Sequence, residues 1–533
     1  LDLRNEKLHN NILLRSKIMK TIRKYMNTLR VASVVIMTGA ALFSLSSCYD
    51  DDSSEGKGVN NIAISGINLD GYTVTSYAGK YLDINPEVKS VYSDDDLKFE
   101  WLAYSQKDDS NYHDGLYEQG IETDVHEFIK LGTEKNLHCE INLSPDLYVV
   151  VLRVTSPDGV QKYVETKLQT VTNLSEGYYI LKETADGNTE VDHYDAVNDE
   201  LGQNLLAAVD GEAMSGKPVN ISTAFNHSYT GEDGTFVSSN IISVTTHNGG
   251  WKCYSTKDFS TIFDRTNMLY AGNMESDEVP YGFCQGMMSI YFLTSKGIRS
   301  QYDASVMGAG SGMYGLPGGD GGSRFYAGCS YATVFWNEAA ESFYYSDYNG
   351  TTSPTMNDYP GYKCLDCGRT DFGDVYFILE NGSGERKVVS FNTGFMGAML
   401  TMDKDIPADS HMAKATDYSV CYSGASYIYC LDGNKVYTYD AMTGEETEVK
   451  FTGIASGDNI TYVSCNYGCD MMGMPVNMYL IVGTQNGQNY TLRFYSTLGG
   501  KPDGEPAFTV NGTGVVKAVR YTSLSVSAAS DQD

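Results

Sequence analysis

From about residue 60 onward, short runs that alternate apolar and polar residues recur along the chain, and stretches with helical spacing are scarce. Between residues 60 and 172 the pattern predicts strands over 62–69, 81–84, 97–104, 139–143, 148–155 and 162–170. In the third, Leu97, Phe99 and Trp101 alternate with Lys98 and Glu100, so one face of the strand is buried and the other is wet. Ser156-Pro157-Asp158-Gly159 joins the last two runs, with proline presetting the second turn position and glycine closing the turn. Short strands around one central tryptophan predict an immunoglobulin-like β-sandwich over 60–172, with Trp101 in its core.

Past this segment the strands repeat at longer range. Hairpin-like units begin near Tyr178, Ile241, Met287, Ala332, Val375, Tyr427 and Met478, at intervals of 43 to 63 residues. The clearest copy covers 427–440, two strands about an Asp432-Gly433 turn; others are 375–391 about Asn381-Gly382 and 289–302 about Lys296-Gly297. One hairpin cannot bury its own face, whereas a ring of them protects every edge and shares a core. The spacing predicts an all-β chain whose sandwich is followed by a seven-bladed β-propeller over 173–525, with 515–521 returning to complete the first blade and 526–533 left as a tail. Two further β-sandwiches in place of the ring remain the alternative.

The amino-terminal stretch carries an address. Residues 1–18 are polar and begin with Leu1, which reads as upstream sequence with Met19 as the start. Lys20, Arg23, Lys24 and Arg30 then precede the apolar run VASVVIMTGAALFSL at 31–45, too short for a comfortable membrane span and suited to a signal peptide over 19–47. The run ends in Leu45-Ser46-Ser47-Cys48, which resembles the bacterial lipobox, and that resemblance implies acylation of Cys48. The tether at 48–59 opens with Asp50, Asp51 and Asp52, a string similar to the surface-export signal of lipoproteins from Bacteroidota-type bacteria. A plain secretory signal and an ordinary solvated linker are the blander readings of the same residues.

The lipobox, Tyr81-Leu82-Asp83-Ile84-Asn85-Pro86, Phe99-Glu100-Trp101 and the strand 147–155 together resemble the PKD-like lipoprotein family of Bacteroidota. What that resemblance implies is an outer-membrane protein, lipid-anchored and facing the exterior. It would work beside a nutrient importer related to the starch-utilisation system and its lid lipoprotein, capturing glycan or peptide. The stretch 431–446 resembles blades of the quinoprotein-like and YVTN-like propellers, at the level of architecture.

Charge changes the picture of partners. The chain carries 38 Lys and Arg against 68 Asp and Glu, a net of −30. Loss of residues 1–47 would remove eight basic and two acidic residues, leaving a net of −36. Such a body repels anionic polymers, which argues against a nucleic-acid footprint and favours neutral or cationic ligands. Solubility alone also accounts for that charge.

Of the eleven cysteines, ten remain beyond Cys48. Cys364 with Cys367 and Cys465 with Cys469 admit a thiolate metal site, disulfides or buried thiols; the long gap between the pairs and an oxidising envelope weigh against metal. No metal or cofactor is expected. Gly310-Ser311-Gly312-Met313-Tyr314-Gly315 has the G-x-G-x-x-G form, but Pro317 follows where a phosphate-binding helix would have to begin. It reads as a mobile loop at the propeller rim, with Tyr314 and Asp320 as candidate ligand contacts.

Trp251 and Trp336 are the candidate aromatic platforms, since aromatic faces at a propeller mouth can stack on sugar rings. Asp186 to Asp192 has oxygens for calcium without EF-hand spacing and reads as a turn. Neither H-E-x-x-H nor G-x-S-x-G occurs, so no catalytic residue is assigned. A binding protein is the leading expectation; a propeller glycosidase or lyase, and a structural clamp of an importer complex, are the other two.

Overall fold

The computed structural model describes residues 62–76, 80–105, 128–230, 236–270, 272–285, 289–302, 312–318, 321–328, 332–347, 351–370, 374–394, 397–420, 427–469, 475–498 and 501–523. Strands dominate them, and the helices are single turns such as Leu205–Asp210 and His411–Lys414. Ala63–Val88 and Tyr92–Asp533 belong to one compact unit. The expected signal peptide, Cys48 and Asp50 to Asp52 lie outside the described residues.

The amino-terminal part is built on a five-stranded sheet in the order Tyr72–Thr75, Gln161–Val171, Leu147–Thr155, Lys98–Ser105, Ile129–Gly132, with the first pair parallel. Tyr81–Ile84 pairs separately with Leu137–Glu140. Trp101 is fully buried and donates its indole N–H to the Glu134 carbonyl at 3.0 Å. The third strand thus turns Phe99 and Trp101 inward while Glu100 ion-pairs with Arg153 at 2.6 Å.

Seven antiparallel sheets of three or four strands follow among the described residues, with one two-stranded hairpin, Thr497–Leu498 and Lys501–Pro502, beside the last of them in sequence. Sheets two to seven lead with Pro218–Thr230, Pro280–Gln285, Tyr326–Gly328, Tyr362–Arg369, Asp417–Val420 and Asn459–Cys469, and each proceeds strand to neighbouring strand. The first sheet is completed from the other end of the chain, where Val515–Thr522 pairs with Gly177–Glu183. Tyr178, Ile241, Val375, Tyr427 and Met478 all fall on the second strand of their sheet.

Each sheet is buried on both faces near its centre. Gly177–Glu183 and Ser289–Thr294 are almost continuously buried, which is why their sequences read as unbroken apolar runs instead of alternating ones. Separate apolar clusters lie between successive sheets. Trp251 and Phe283 meet between the second and third, Phe343 and Phe377 between the fourth and fifth, and Tyr178 and Phe494 between the first and seventh.

Hydrogen bonds join the leading strands in the same order. Asn220 donates to the Tyr281 carbonyl at 2.6 Å, Cys367 to that of Tyr326 at 3.1 Å, and the Val463 amide to Asp417 at 2.9 Å. The Val519 amide donates to the Tyr462 hydroxyl at 3.0 Å, and Asn240 to the Ser523 carbonyl at 3.0 Å, so the last strand is bonded to the seventh sheet on one side and the second on the other.

Candidate functional site

Over its described part the glycine-rich segment, expected as a mobile loop, is held by backbone hydrogen bonds. Tyr314 exchanges backbone bonds with 268–270, and Gly318 with Ile298. Arg299 clamps the bend between them, donating to the Gly315 carbonyl at 2.6 Å and to Glu278 at 2.7 Å, with both charged side chains buried. A buried guanidinium needs such a carboxylate, and the carbonyl it also holds is thereby fixed in place. Gly312, at φ +71, has no room for a Cβ against the Tyr229 side chain and the Ser228 carbonyl.

This packing corrects the site expected from sequence. Tyr314 is fully buried, parallel to the His227 ring at 6.1 Å, and so cannot contact a ligand from solvent. Trp251 lies 5.0 Å from Phe292, between two sheets. Trp336 is also fully buried, 5.0 Å from Phe343, and donates to Glu338 at 2.6 Å. Neither indole presents a face to solvent, because the neighbouring sheet covers it. Asp320 lies outside the described residues. The exposed side chains of this region are Leu316 and Tyr270, which the sequence reading did not select.

Cys139, Cys253, Cys364 and Cys430 are free thiols. Cys364 and Cys367 are buried, and burial raises the thiol pKa of Cys364 well above its usual value. Cys253 and Cys430 are likewise buried thiols, as small hydrophobes in apolar strands should be. Cys465 is half-buried, while the side chain of Cys469 lies outside the description. Among the described residues no three His, Cys, Asp or Glu side chains converge on a common point. The 186–192 segment is a hairpin: Gly187 N–H donates to the Thr184 carbonyl at 3.0 Å, and the strands pair from Glu183 with Thr189 outward.

A cleft of about 540 Å³ opens where the amino-terminal part meets the second sheet. Three elements form it. Gln161–Val171 contributes Gln169, Thr170 and Val171, the turn ahead of Leu147–Thr155 contributes Asp146, and the second sheet contributes Asn226, Val237 to Asn240, Thr256 and Lys257. The junction is bonded: Thr172 Oγ1 donates to the Lys257 carbonyl at 2.6 Å, and Lys257 faces Asp146 at 3.7 Å. Thr172 also caps the 3-10 turn Asn173–Ser175 through a capping box, whose Leu174 carbonyl accepts from Tyr179 at 2.6 Å.

Much of the cleft's polar lining is already satisfied. Thr170 donates to the Ser144 carbonyl, Thr256 to that of Asn240, and the Asn240 amide to Thr522 and Ser523. Asn226 sits at a bulge of its strand with φ +51, which turns its side chain out of the ladder and leaves it exposed. Ser238 is exposed as well, and Gln169 and Lys257 are half-buried. None of these residues stood out in the sequence, since no spacing links 146, 169, 226 and 257.

Residues 48–218 match the model of the PKD-like family. Among curated proteins, none matches the chain. Among solved structures, AztD from Citrobacter koseri is 12% identical, with 65% of this chain and 97% of that one covered at a TM-score of 0.35. Virginiamycin B lyase from Staphylococcus aureus is 12% identical, with 57% and 92% covered at 0.34.

Proposed function

We propose that the chain is a lipid-anchored outer-membrane protein, exposed at the cell surface, that binds a nutrient ligand for an importer rather than transforming it. The seven sheets form the blades of one closed propeller, and the amino-terminal domain is the spacer that carries it away from the membrane. The observation that carries this reading is the order of segments: a basic start, a short apolar run, Cys48 in a lipobox-like setting, an acidic tether, and then the PKD-like match at 48–218. Acyl chains bring about 0.8 kcal/mol per buried CH2, so several of them hold a water-loving body at a bilayer.

Support for the closed ring comes from the shared cores between neighbouring sheets and from the pairing of Val515–Thr522 with Gly177–Glu183. A ring so closed is a rigid scaffold, which suits recognition by loops and clefts at its margins. The experiment uses protein lacking residues 1–48, run through gels containing single polysaccharides, with a reducing-end assay alongside. Retarded migration without new reducing ends is the expected result. New ends would replace binding with catalysis, and the absence of both, with co-purification of an importer, would replace it with a clamp.

A further inference from the structure

We infer that the cleft between the amino-terminal domain and the second sheet is a binding site for a neutral oligosaccharide. The inference rests on the binding role proposed above and names its site and ligand class.

The chemistry of the lining carries it. Gln169 and Asn226 offer amides that both donate and accept, Ser238 offers a hydroxyl that does the same, and the Lys257–Asp146 pair adds one donor and one acceptor whose charges cancel. Vicinal sugar hydroxyls need this mixture, because each also donates and accepts. Leu147 and Val237, on opposite sides of the cleft, provide apolar surface for the C–H faces of a pyranose. A volume of about 540 Å³ lies within the ordinary range of small-ligand sites, which favour domain junctions.

Other ligand classes fit less well. An anion would meet a compensated cation at 3.7 Å from its carboxylate, inside a strongly acidic molecule. A peptide adding itself as a strand would need an open sheet edge. Gln161–Val171 is already paired on both sides, with Tyr72–Thr75 and Leu147–Thr155, and Phe236–Thr246 with both of its neighbours; Pro218–Thr230 is paired on one side only, but its ladder is broken by the bulge at Asn226, where it lines the cleft.

The test is calorimetric titration of protein lacking residues 1–48 with gluco-, xylo- and mannohexaose, with hexagalacturonate and a casein digest as the anionic and peptide probes. The variants are Gln169→Leu, Asn226→Gly, which keeps the positive φ accessible, and Ser238→Tyr, which fills the cleft from an exposed position. At least one neutral hexaose should bind, and each variant should weaken it by roughly ten- to a hundredfold, as expected for one or two lost hydrogen bonds or a blocked site, at an unchanged melting temperature. Should one variant unfold, the other two still decide. Undiminished binding in the folded variants overturns the site and leaves the binding role standing. Preference for hexagalacturonate or peptide, abolished by the same variants, overturns the ligand class. Binding of no probe at all overturns both this inference and the role beneath it.

Discussion

The Tyr490 hydroxyl donates to the Asp192 carboxylate at 2.8 Å, joining the seventh sheet to the first across 298 residues of chain. Asp192 is fully buried and also receives the Lys182 ammonium at 2.6 Å and the Asn204 amide at 2.9 Å. Buried charge is tolerated only with this degree of pairing. The Tyr490 phenol is pushed far above its usual pKa by burial and by the neighbouring carboxylate, so it stays a donor at any working pH.

Tyr490→Phe removes one donor from that carboxylate and keeps the ring. The expected cost is about 1–3 kcal/mol, read as a lower urea midpoint at unchanged slope. Gly512 tests the same joint from the other side. A Cβ there would overlap the Tyr490 ring and hydroxyl, so Gly512→Ala must displace the tyrosine. It should cost at least as much as Tyr490→Phe, and the double variant should cost less than the sum, because both act on one contact.

Acid should weaken the fold before carboxylates titrate. His193 and His227 are held near pKa 4, in each case mainly because burial penalises the charged ring; Asp195 and a backbone bond oppose this at His193, as does the Gly312 backbone at His227. The unfolded chain takes up these protons near pH 6.5 and the folded one does not until about 4. Stability is therefore complete above 6.5 and falls as pH drops toward 4, by about 2 kcal/mol per histidine at pH 5. Glu190 and Glu338, whose carboxyls burial pushes upward, act with the opposite sign at the lower end of this range. Denaturation midpoints at pH 7.5, 6 and 5 should decline monotonically, and flat values would contradict neutral burial of both rings.

The Arg299–Glu278 pair predicts a local effect. Arg299→Met leaves Glu278 buried with the Thr294 hydroxyl as its donor among the described residues and frees the Gly315 carbonyl. Stability should fall by about 3–5 kcal/mol, and exchange of backbone amides over 312–318 should accelerate. Adding Glu278→Leu should restore much of the stability, since an apolar pair replaces the ionic one, without restoring protection at 314–316.

Parts of this architecture were legible in the sequence for a physical reason. Residues 98–105 alternate because the strand buries one face more fully than the other, and 427–440 announces itself through its glycine turn. Strands such as Tyr326–Gly328 and Asp417–Val420 were not legible, being three or four residues long and specified by neighbouring sheets. Trp251 misled because Asn248-Gly249-Gly250 before it reads as an exposed tip, whereas Phe283 and Phe292 of the next sheet cover the indole. The cleft had no signal of its own: Gln169 and Asn226 are ordinary polar residues until the folded chain brings them to one lining.

The address at Cys48 is the premise on which surface binding depends, and mass spectrometry of the mature amino terminus from intact cells tests it most directly. The expected result is a chain beginning at Cys48 with a diacylglyceryl group on its sulfur. An unmodified cysteine, or a mature chain that begins elsewhere, would contradict it.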